Sequence, residues 1–281
     1  MNYRHAFHAG NFADVFKHAL LARVLLHLRE KDTAFRVIDT HAGAGRYDLS
    51  GGEAQRTEEW RDGIGKLLTH PPEGDAGALL EPYRSLVRAE NVPGEIKSYP
   101  GSPAIAAALA RPQDRLTLCE LHPEEHEALT VAFDRDRRVK VIGTDGWTAL
   151  KAYLPPPERR GLVLIDPPFE EPGEFQRFEE GLTNAHRRWA TGIYLFWYPL
   201  KDLQETEAFA SRISRLGIAK IVRSELTVAT IEAGAGLSAC SMLVVNPPWK
   251  LEHELSLILP ALVRTLGRNG NGRHRLDWLA R

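Results

Sequence analysis

Short apolar runs alternate with amphipathic stretches along most of this chain. Phe35 to Asp39, Leu116 to Leu121, Val139 to Ile142, Leu162 to Asp166, Ile193 to Tyr198, Ile218 to Leu226 and Ser238 to Asn246 read as seven strands. Helical spacing predicts Pro123 to Asp134, Trp147 to Leu154, Glu174 to Ala190, Leu203 to Leu216 and Leu251 to Leu266 between and after them. Asn11 as an N-cap, with Asp14 in the first turn, opens a further helix that runs through Leu28 and breaks at Glu30, Lys31 and Asp32. Nearly continuous apolar strands separated by helices argue an α/β fold whose mostly parallel sheet is covered on both faces.

One stretch interrupts that rhythm. Arg46 to Tyr99 carries helical patches around Thr57 to Leu68 and Ala78 to Asn91, joined by the Pro- and Gly-rich segment Thr69 to Gly77, and no good strand until its end. The expected organisation is residues 1–45 as an N-terminal helix and first strand, 46–99 as a helical insertion, and 100–267 as the rest of the main domain. Residues 268–281 form a tail, with Arg268 to Arg275 expected to be mobile.

With 281 residues, 43% hydrophobic and 26% charged, the chain can bury a sizeable core, and no apolar run approaches the ~20 residues of a membrane span. Basic residues number 36 and acidic 37, so no global field marks a nucleic-acid binder, and any such partner must be held by a local patch. Cys119 and Cys240 lie in apolar runs without metal-ligand spacing, which predicts buried thiols and neither a disulfide scaffold nor a metal site. The N-terminal stretch is too polar for a signal peptide, and a cytoplasmic monomer is expected.

The first strand runs into Asp39-Thr40-His41-Ala42-Gly43-Ala44-Gly45-Arg46, and its glycines let backbone approach a ligand at the carboxyl end of that strand. The dinucleotide fingerprint needs a third glycine where Asp48 stands, and no P-loop is present, so a phosphate cradle is disfavoured. An acidic residue before a two-glycine loop suits a ligand with an ammonium group and no phosphate, and S-adenosylmethionine is such a ligand; a simple strand-to-loop turn is the plainer alternative. Glu120, after the second strand, could accept from both ribose hydroxyls, although it lies far beyond the ~20-residue spacing usual for that role, a gap the insertion accounts for. Asp145, before Gly146, could accept from an adenine amino group or simply cap the helix that follows.

The sharpest motif is Asp166-Pro167-Pro168-Phe169, directly after the fourth strand. An exocyclic amino nitrogen of a nucleobase is a poor nucleophile because its lone pair is delocalised into the ring. A carboxylate at Asp166 and the Pro167 carbonyl can both accept from that amino group, the prolines fix the geometry, and Phe169 offers a face for an extruded base. A second copy, Asn246-Pro247-Pro248-Trp249, follows the last strand; strand order favours the Asp copy as the active one and a structural role for Asn246. Phe196-Trp197-Tyr198-Pro199 could wall the pocket or simply pack. Tyr3, Arg4, His5, His8, Lys17 and His18 crowd basic and aromatic groups into one stretch, readable as stacking and phosphate contact or as snorkelling and satisfied histidines. Turn chemistry alone accounts for Ser102 in Tyr99-Pro100-Gly101-Ser102-Pro103.

Assembled, these residues closely resemble the RlmJ family, the 23S ribosomal RNA adenine-N6 methyltransferases. The matching stretches are YRHAFHAGNFADVFKH from Tyr3, DTHAGAGRY from Asp39, YPGSP from Tyr99, ELHP from Glu120, DG at Asp145, RRGLVLIDPPFE from Arg159 and NPPWKLE from Asn246. The resemblance implies a Rossmann-like class I S-adenosylmethionine-dependent methyltransferase with a helical subdomain inserted after the first strand. It also implies that Lys17, His18, His41, Gly43, Ser102, Glu120, Asp145, Gly146 and Asp166 line the S-adenosylmethionine and catalytic site. Asp166 would be the proton acceptor, with Pro167 and Phe169 beside it, and Tyr3 would touch the 23S ribosomal RNA substrate, with Arg4 next to it. The aromatic of the catalytic motif is commonly Tyr in the family and is Phe169 here, so stacking survives and a hydroxyl role does not. Expected, then, is methyl transfer to N6 of an rRNA adenine, without a metal or a membrane. The rivals are an adenine-N6 DNA methyltransferase and a non-catalytic RNA-binding module.

Overall fold

The computed structural model describes residues 4–232 and 236–281. After a single 3-10 turn (His5–Phe7), the Asn11 side chain accepts from the N–H groups of Ala13 and Asp14 and so starts α1 (Phe12–Arg29). Then follow β1 (Arg36–Asp39), β2 (Arg46–Asp48), α2 (Gly52–Thr57), a π turn (Arg61–Gly65) leading into α3 (Lys66–Thr69), α4 (Gly74–Ala89) and β3 (Ser98–Pro100). The rest is α5 (Ser102–Leu109), β4 (Arg115–Glu120), α6 (Pro123–Phe133), β5 (Val139–Gly143), α7 (Gly146–Ala152), β6 (Gly161–Ile165), α8 (Glu174–Arg188) and β7 (Ile193–Pro199). It ends in α9 (Leu203–Ser214), β8 (Ile221–Thr227), β9 (Ala239–Val245), α10 (Leu251–Leu266) and β10 (Arg273–Ala280).

Eight strands form the main sheet in the order β10-β8-β9-β7-β6-β1-β4-β5. From β7 to β5 every pairing is parallel, whereas β9, β8 and β10 add antiparallel ladders on the other side. Alternate residues feed two cores. Val37, Leu116, Leu162 and Leu195 face α1, α5, α6 and α10, while Ile38, Val163, Tyr194 and Phe196 face α7, α8 and α9. β2 and β3 pair as a separate two-stranded ribbon that brackets the helical segment α2 to α4, and that segment packs over α1. Covered by the sheet on one side and by α4 and the π turn on the other, α1 is buried along most of its length, and its polar residues must find partners inside.

Two expectations are corrected. The segment after Arg268 is not a mobile tail: Arg273–Ala280 makes an eighth strand, antiparallel to β8. The reason is charge as much as pairing. Arg223 on β8 is only 2% exposed, and Asp277 lies directly opposite it, accepting from Nε at 3.0 Å and Nη2 at 2.8 Å. Without that strand a buried guanidinium would lose its main carboxylate partner. Ser102, read from sequence as part of a turn, is the first residue of α5, because Pro103 occupies the first helical turn, where a missing N–H costs nothing. Cys119 and Cys240 are free and buried. Among the described residues, no helix is long and apolar enough to cross a membrane.

Candidate active site

The carboxyl ends of β1, β4, β5 and β6 open side by side onto a cavity of about 790 Å³, within the range of small-molecule sites. Its wall takes in Lys17, His18, His41, Gly43, Ser102, Glu120, Asp145, Gly146, Asp166, Pro167 and Phe169, so the structure gathers in one place residues that the chain scatters over more than half its length. Arg4 is not among the lining residues, and its guanidinium is engaged elsewhere, paired with Glu53 at 3.1 Å and with Glu124. Tyr3 is outside the described residues.

The loop after β1 is held by acidic side chains. Glu120 accepts from the Gly43 N–H at 2.8 Å through Oε2 and from the His122 N–H at 2.7 Å through Oε1. Gly43 has a φ of +59°, and a Cβ there would meet the Tyr47 hydroxyl at 2.0 Å. Asp145 caps α7, accepting from the Thr148 N–H at 2.8 Å. Gly146 beside it admits no side chain, since a Cβ would stand 2.6 Å from both the His41 ring and the Thr40 carbonyl. Asp39 is buried and accepts from Ser102 Oγ at 2.6 Å and from the His41 N–H at 3.3 Å. Burial pushes its carboxyl up to about 7, and the nearby Asp166 charge adds to the rise that Ser102 opposes.

Along the cavity wall runs a charged chain from α1. Lys17 Nζ pairs with Asp166 and, at 2.9 Å, with Asp14. Asp14 also accepts from His5 Nε2 at 2.9 Å and from the Gly10 N–H at 2.9 Å. Burial alone would lift the Asp14 carboxyl, but His5, Lys17 and His18 together hold it well below the usual range. For Lys17 burial works downward, and Asp14 and Asp166 overcome it to keep the ammonium charged. Burial pushes His18 down to about 3 against partial support from Asp14, which leaves a neutral imidazole hydrogen-bonded to Tyr99 at 2.7 Å, and Tyr99 in turn to Tyr83 at 2.8 Å. His41 is also lowered by burial. From sequence Asp14 stands out only as a first-turn acid; its spacing three and four residues before Lys17 and His18 is the signal that could have found its role.

At the tip of β6 the chain turns sharply. Phe169 has a φ of +52°, a left-handed conformation that costs a non-glycine residue about 1–2 kcal/mol and that clusters at functional positions. Its ring stands edge-on to Phe175 at 5.2 Å and to Trp197 at 6.1 Å. The other copy of the motif is elsewhere: β9 runs antiparallel to β7, which puts Asn246 at the opposite end of the sheet. There its amide donates to the carbonyls of Ala190 and Gly192, both at 2.8 Å.

The sequence pattern of the family described as Ribosomal RNA large subunit methyltransferase D, RlmJ, matches residues 32–280. The Ribosomal RNA large subunit methyltransferase J of Escherichia coli K12 is 43% identical over 279 residues, covering 99% of each chain, and that of Haemophilus influenzae is 42% identical over 280 residues, again covering 99% of each. A crystal structure of a Legionella pneumophila protein superposes with a TM-score of 0.88 at 36% identity, covering 96% of this chain and 98% of that one. A probable spermidine synthase from Corynebacterium glutamicum shares the fold with a TM-score of 0.50 at 16% identity, covering 94% of this chain and 75% of that one. Built on the Rossmann-like sheet of class I methyltransferases, the chain belongs to the RlmJ family of ribosomal RNA large subunit methyltransferases.

Proposed function

We propose that the protein transfers a methyl group from S-adenosylmethionine to N6 of an adenine in 23S ribosomal RNA, acting in the cytoplasm. The observation that carries this reading is the position of Asp166 and the Pro167 carbonyl: they close one wall of the same cavity into which Glu120, Asp145, His41 and Gly43 open. The residues fit the cofactor. Both Glu120 oxygens keep lone pairs free for a vicinal diol after accepting their backbone N–H groups, Asp145 Oδ1 is left for an adenine amino group, and the bare Cα of Gly146 lets a flat ring come close. Asp14 and Asp166 both pair with the ammonium of Lys17, and Glu120 and Asp145 add further carboxylates to the same lining, a balance that suits a cationic guest. Bound there, S-adenosylmethionine supplies a methyl group activated by its sulfonium.

The protein's share of the chemistry is positioning and polarisation. Asp166 accepts one N–H of the adenine amino group and the Pro167 carbonyl accepts the other, which draws the nitrogen lone pair out of the ring and toward the methyl. As the N–C bond forms the methyl–sulfur bond breaks, the sulfur leaves as a neutral thioether, and the surplus N6 proton passes to an Asp166 oxygen and on to solvent. Lys17 bridges Asp14 and Asp166, so Asp166 can turn to the substrate while Asp14 keeps the ammonium paired. Phe169, held by Phe175 and Trp197, gives the flipped base its stacking face.

The test offers the protein labelled S-adenosylmethionine with protein-free 23S RNA or with duplex DNA. Expected is label in N6-methyladenine of the RNA. Label in the DNA alone would assign the rival activity, and failure to bind S-adenosylmethionine in calorimetry would remove the enzymatic reading.

A further inference from the structure

A polyanion finds little charge to hold at the mouth of the cavity. Glu59, Glu120, Glu125, Glu170, Glu171 and Glu174 all line it and outnumber its lysines and arginine: Lys17 is paired with Asp14 and Asp166, Arg177 with Glu174, and Lys201 alone has no hydrogen-bond or ion-pair partner among the described residues. The opposite end of the sheet, where the parallel strands begin, has the reverse character. Lys31, Arg137, Lys140, Arg159, Arg188 and Lys220 are exposed there, and none of their side chains has a hydrogen-bond or ion-pair partner among the described residues. Several carboxylates at that end are already neutralised, Glu30 by Lys250, Asp114 by Arg111, Asp136 by Arg138 and Glu158 by Arg36. In a chain of net charge −1 this is a strong local excess of cations.

The second Pro-Pro motif ties that end together. Asn246 has a φ of +53°, its amide grips the Ala190 and Gly192 carbonyls, and its N–H donates to the Lys220 carbonyl at 2.9 Å. Lys220 and the loop that follows Arg188 at the end of α8 are thus fixed to the segment that presents Trp249. Arg188 and Arg159 flank a cleft of about 400 Å³. The Trp249 indole is 78% exposed, with the Lys250 ammonium 5.0 Å from its ring centre. Unpaired guanidinium groups around a cleft and an exposed flat ring on a rigid mount match phosphates and an unstacked base.

We propose that this basic end, with Trp249 as its stacking face, binds the backbone of the structured RNA whose adenine enters the cavity at the other end. The proposal rests on the RNA reading of the active site and goes beyond it. The two ends are about 20 Å apart, the length of a six-residue strand. An RNA with flanking structure reaches both, and a minimal hairpin reaches only the cavity.

The experiment compares the wild type with the triple variant Arg159→Glu/Arg188→Glu/Lys220→Glu and with Trp249→Ala. Each methylates two 23S fragments carrying the target adenine, one a short hairpin and one with its flanking helices, over a range of salt. For the long fragment, the triple variant should raise KM by about 10-fold or more and flatten the log K against log salt slope by about 2–3, close to one for each phosphate that is no longer neutralised. Trp249→Ala should raise that KM by about 10-fold with the slope kept. kcat, S-adenosylmethionine affinity and turnover of the hairpin should stay within about twofold. Wild-type turnover of the long RNA with KM and salt slope unchanged in the variants would overturn this surface alone. Absence of wild-type turnover on both RNAs would overturn the active-site reading, and this surface with it.

Discussion

Two segments of this protein have nearly the same local sequence and opposite fates. Asp166-Pro167-Pro168-Phe169 and Asn246-Pro247-Pro248-Trp249 each leave a fully buried strand, and each contains a residue at a φ near +50°. β6 runs parallel to β1, so its motif emerges among the loops that line the cavity; β9 runs antiparallel to β7, so its motif emerges at the other end. The first residue then takes the role its surroundings demand. Asp166 faces a buried ammonium and an open cavity, whereas Asn246 spends its amide on two backbone carbonyls. Strand direction, not the motif, separates chemistry from scaffolding.

The comparison breaks most visibly at its acidic member. Asp166→Ala should lower kcat for RNA methylation by about 10³-fold or more, since it removes both the amino-group acceptor and the proton acceptor, while calorimetry still registers S-adenosylmethionine. Near-normal turnover would remove Asp166 from the mechanism. Asn246→Ala should do the converse. It removes two hydrogen bonds and leaves alanine in a left-handed conformation that asparagine tolerates better, for a loss of about 1–3 kcal/mol in urea unfolding with kcat nearly intact. A larger effect of Asn246→Ala than of Asp166→Ala on kcat would invert the assignment.

How far the sequence can carry this contrast depends on the range of the interactions involved. β6 and β9 are visible because they are nearly continuous apolar runs, and the Asp motif because four adjacent residues define it. α5 is hidden by Gly101 and Pro103, which read as a turn although Pro103 in fact starts a helix. β10 is hidden because its lead-in is rich in Arg, Asn and Gly and because its justification, Asp277 opposite buried Arg223, spans 54 residues. The same holds in the site. Lys17 and His18 look like surface groups of an amphipathic helix until the insertion covers α1, and only the family resemblance puts them in the cavity. The partners that engage Arg4 and His8, namely Glu53, Glu124 and Glu59, are 49 to 120 residues away, so a stretch that looks free to meet phosphate is already paired.

The subtlest difference between the two ends is their response to pH. The lower end, away from the cavity, presents exposed lysines and arginines, and the upper end, at the cavity, holds a carboxyl, Asp39, that burial pushes up to about 7 from an ordinary 3.8. A raised carboxyl binds its proton more tightly in the folded protein than in the unfolded chain. Its contribution to stability is therefore complete below about pH 4 and is lost as pH rises through about 7. His18, pushed down to about 3, acts in the other direction over part of the same window, so the wild-type curve alone does not isolate Asp39. The difference between wild type and Asp39→Asn does. Asn keeps an acceptor for Ser102 and cannot ionise, so its stability relative to wild type should climb from pH 4 to 7, by up to about 4 kcal/mol, and level off above. Ser102→Ala removes the hydrogen bond that favours the ionised form and should move the midpoint of the Asp39 contribution to higher pH. Urea unfolding of the unliganded proteins at half-unit pH steps measures both. A wild type minus Asp39→Asn difference that stays flat from pH 4 to 8 would mean that Asp39 titrates as an ordinary carboxylate, and that the upper end is no more pH-sensitive than the lower.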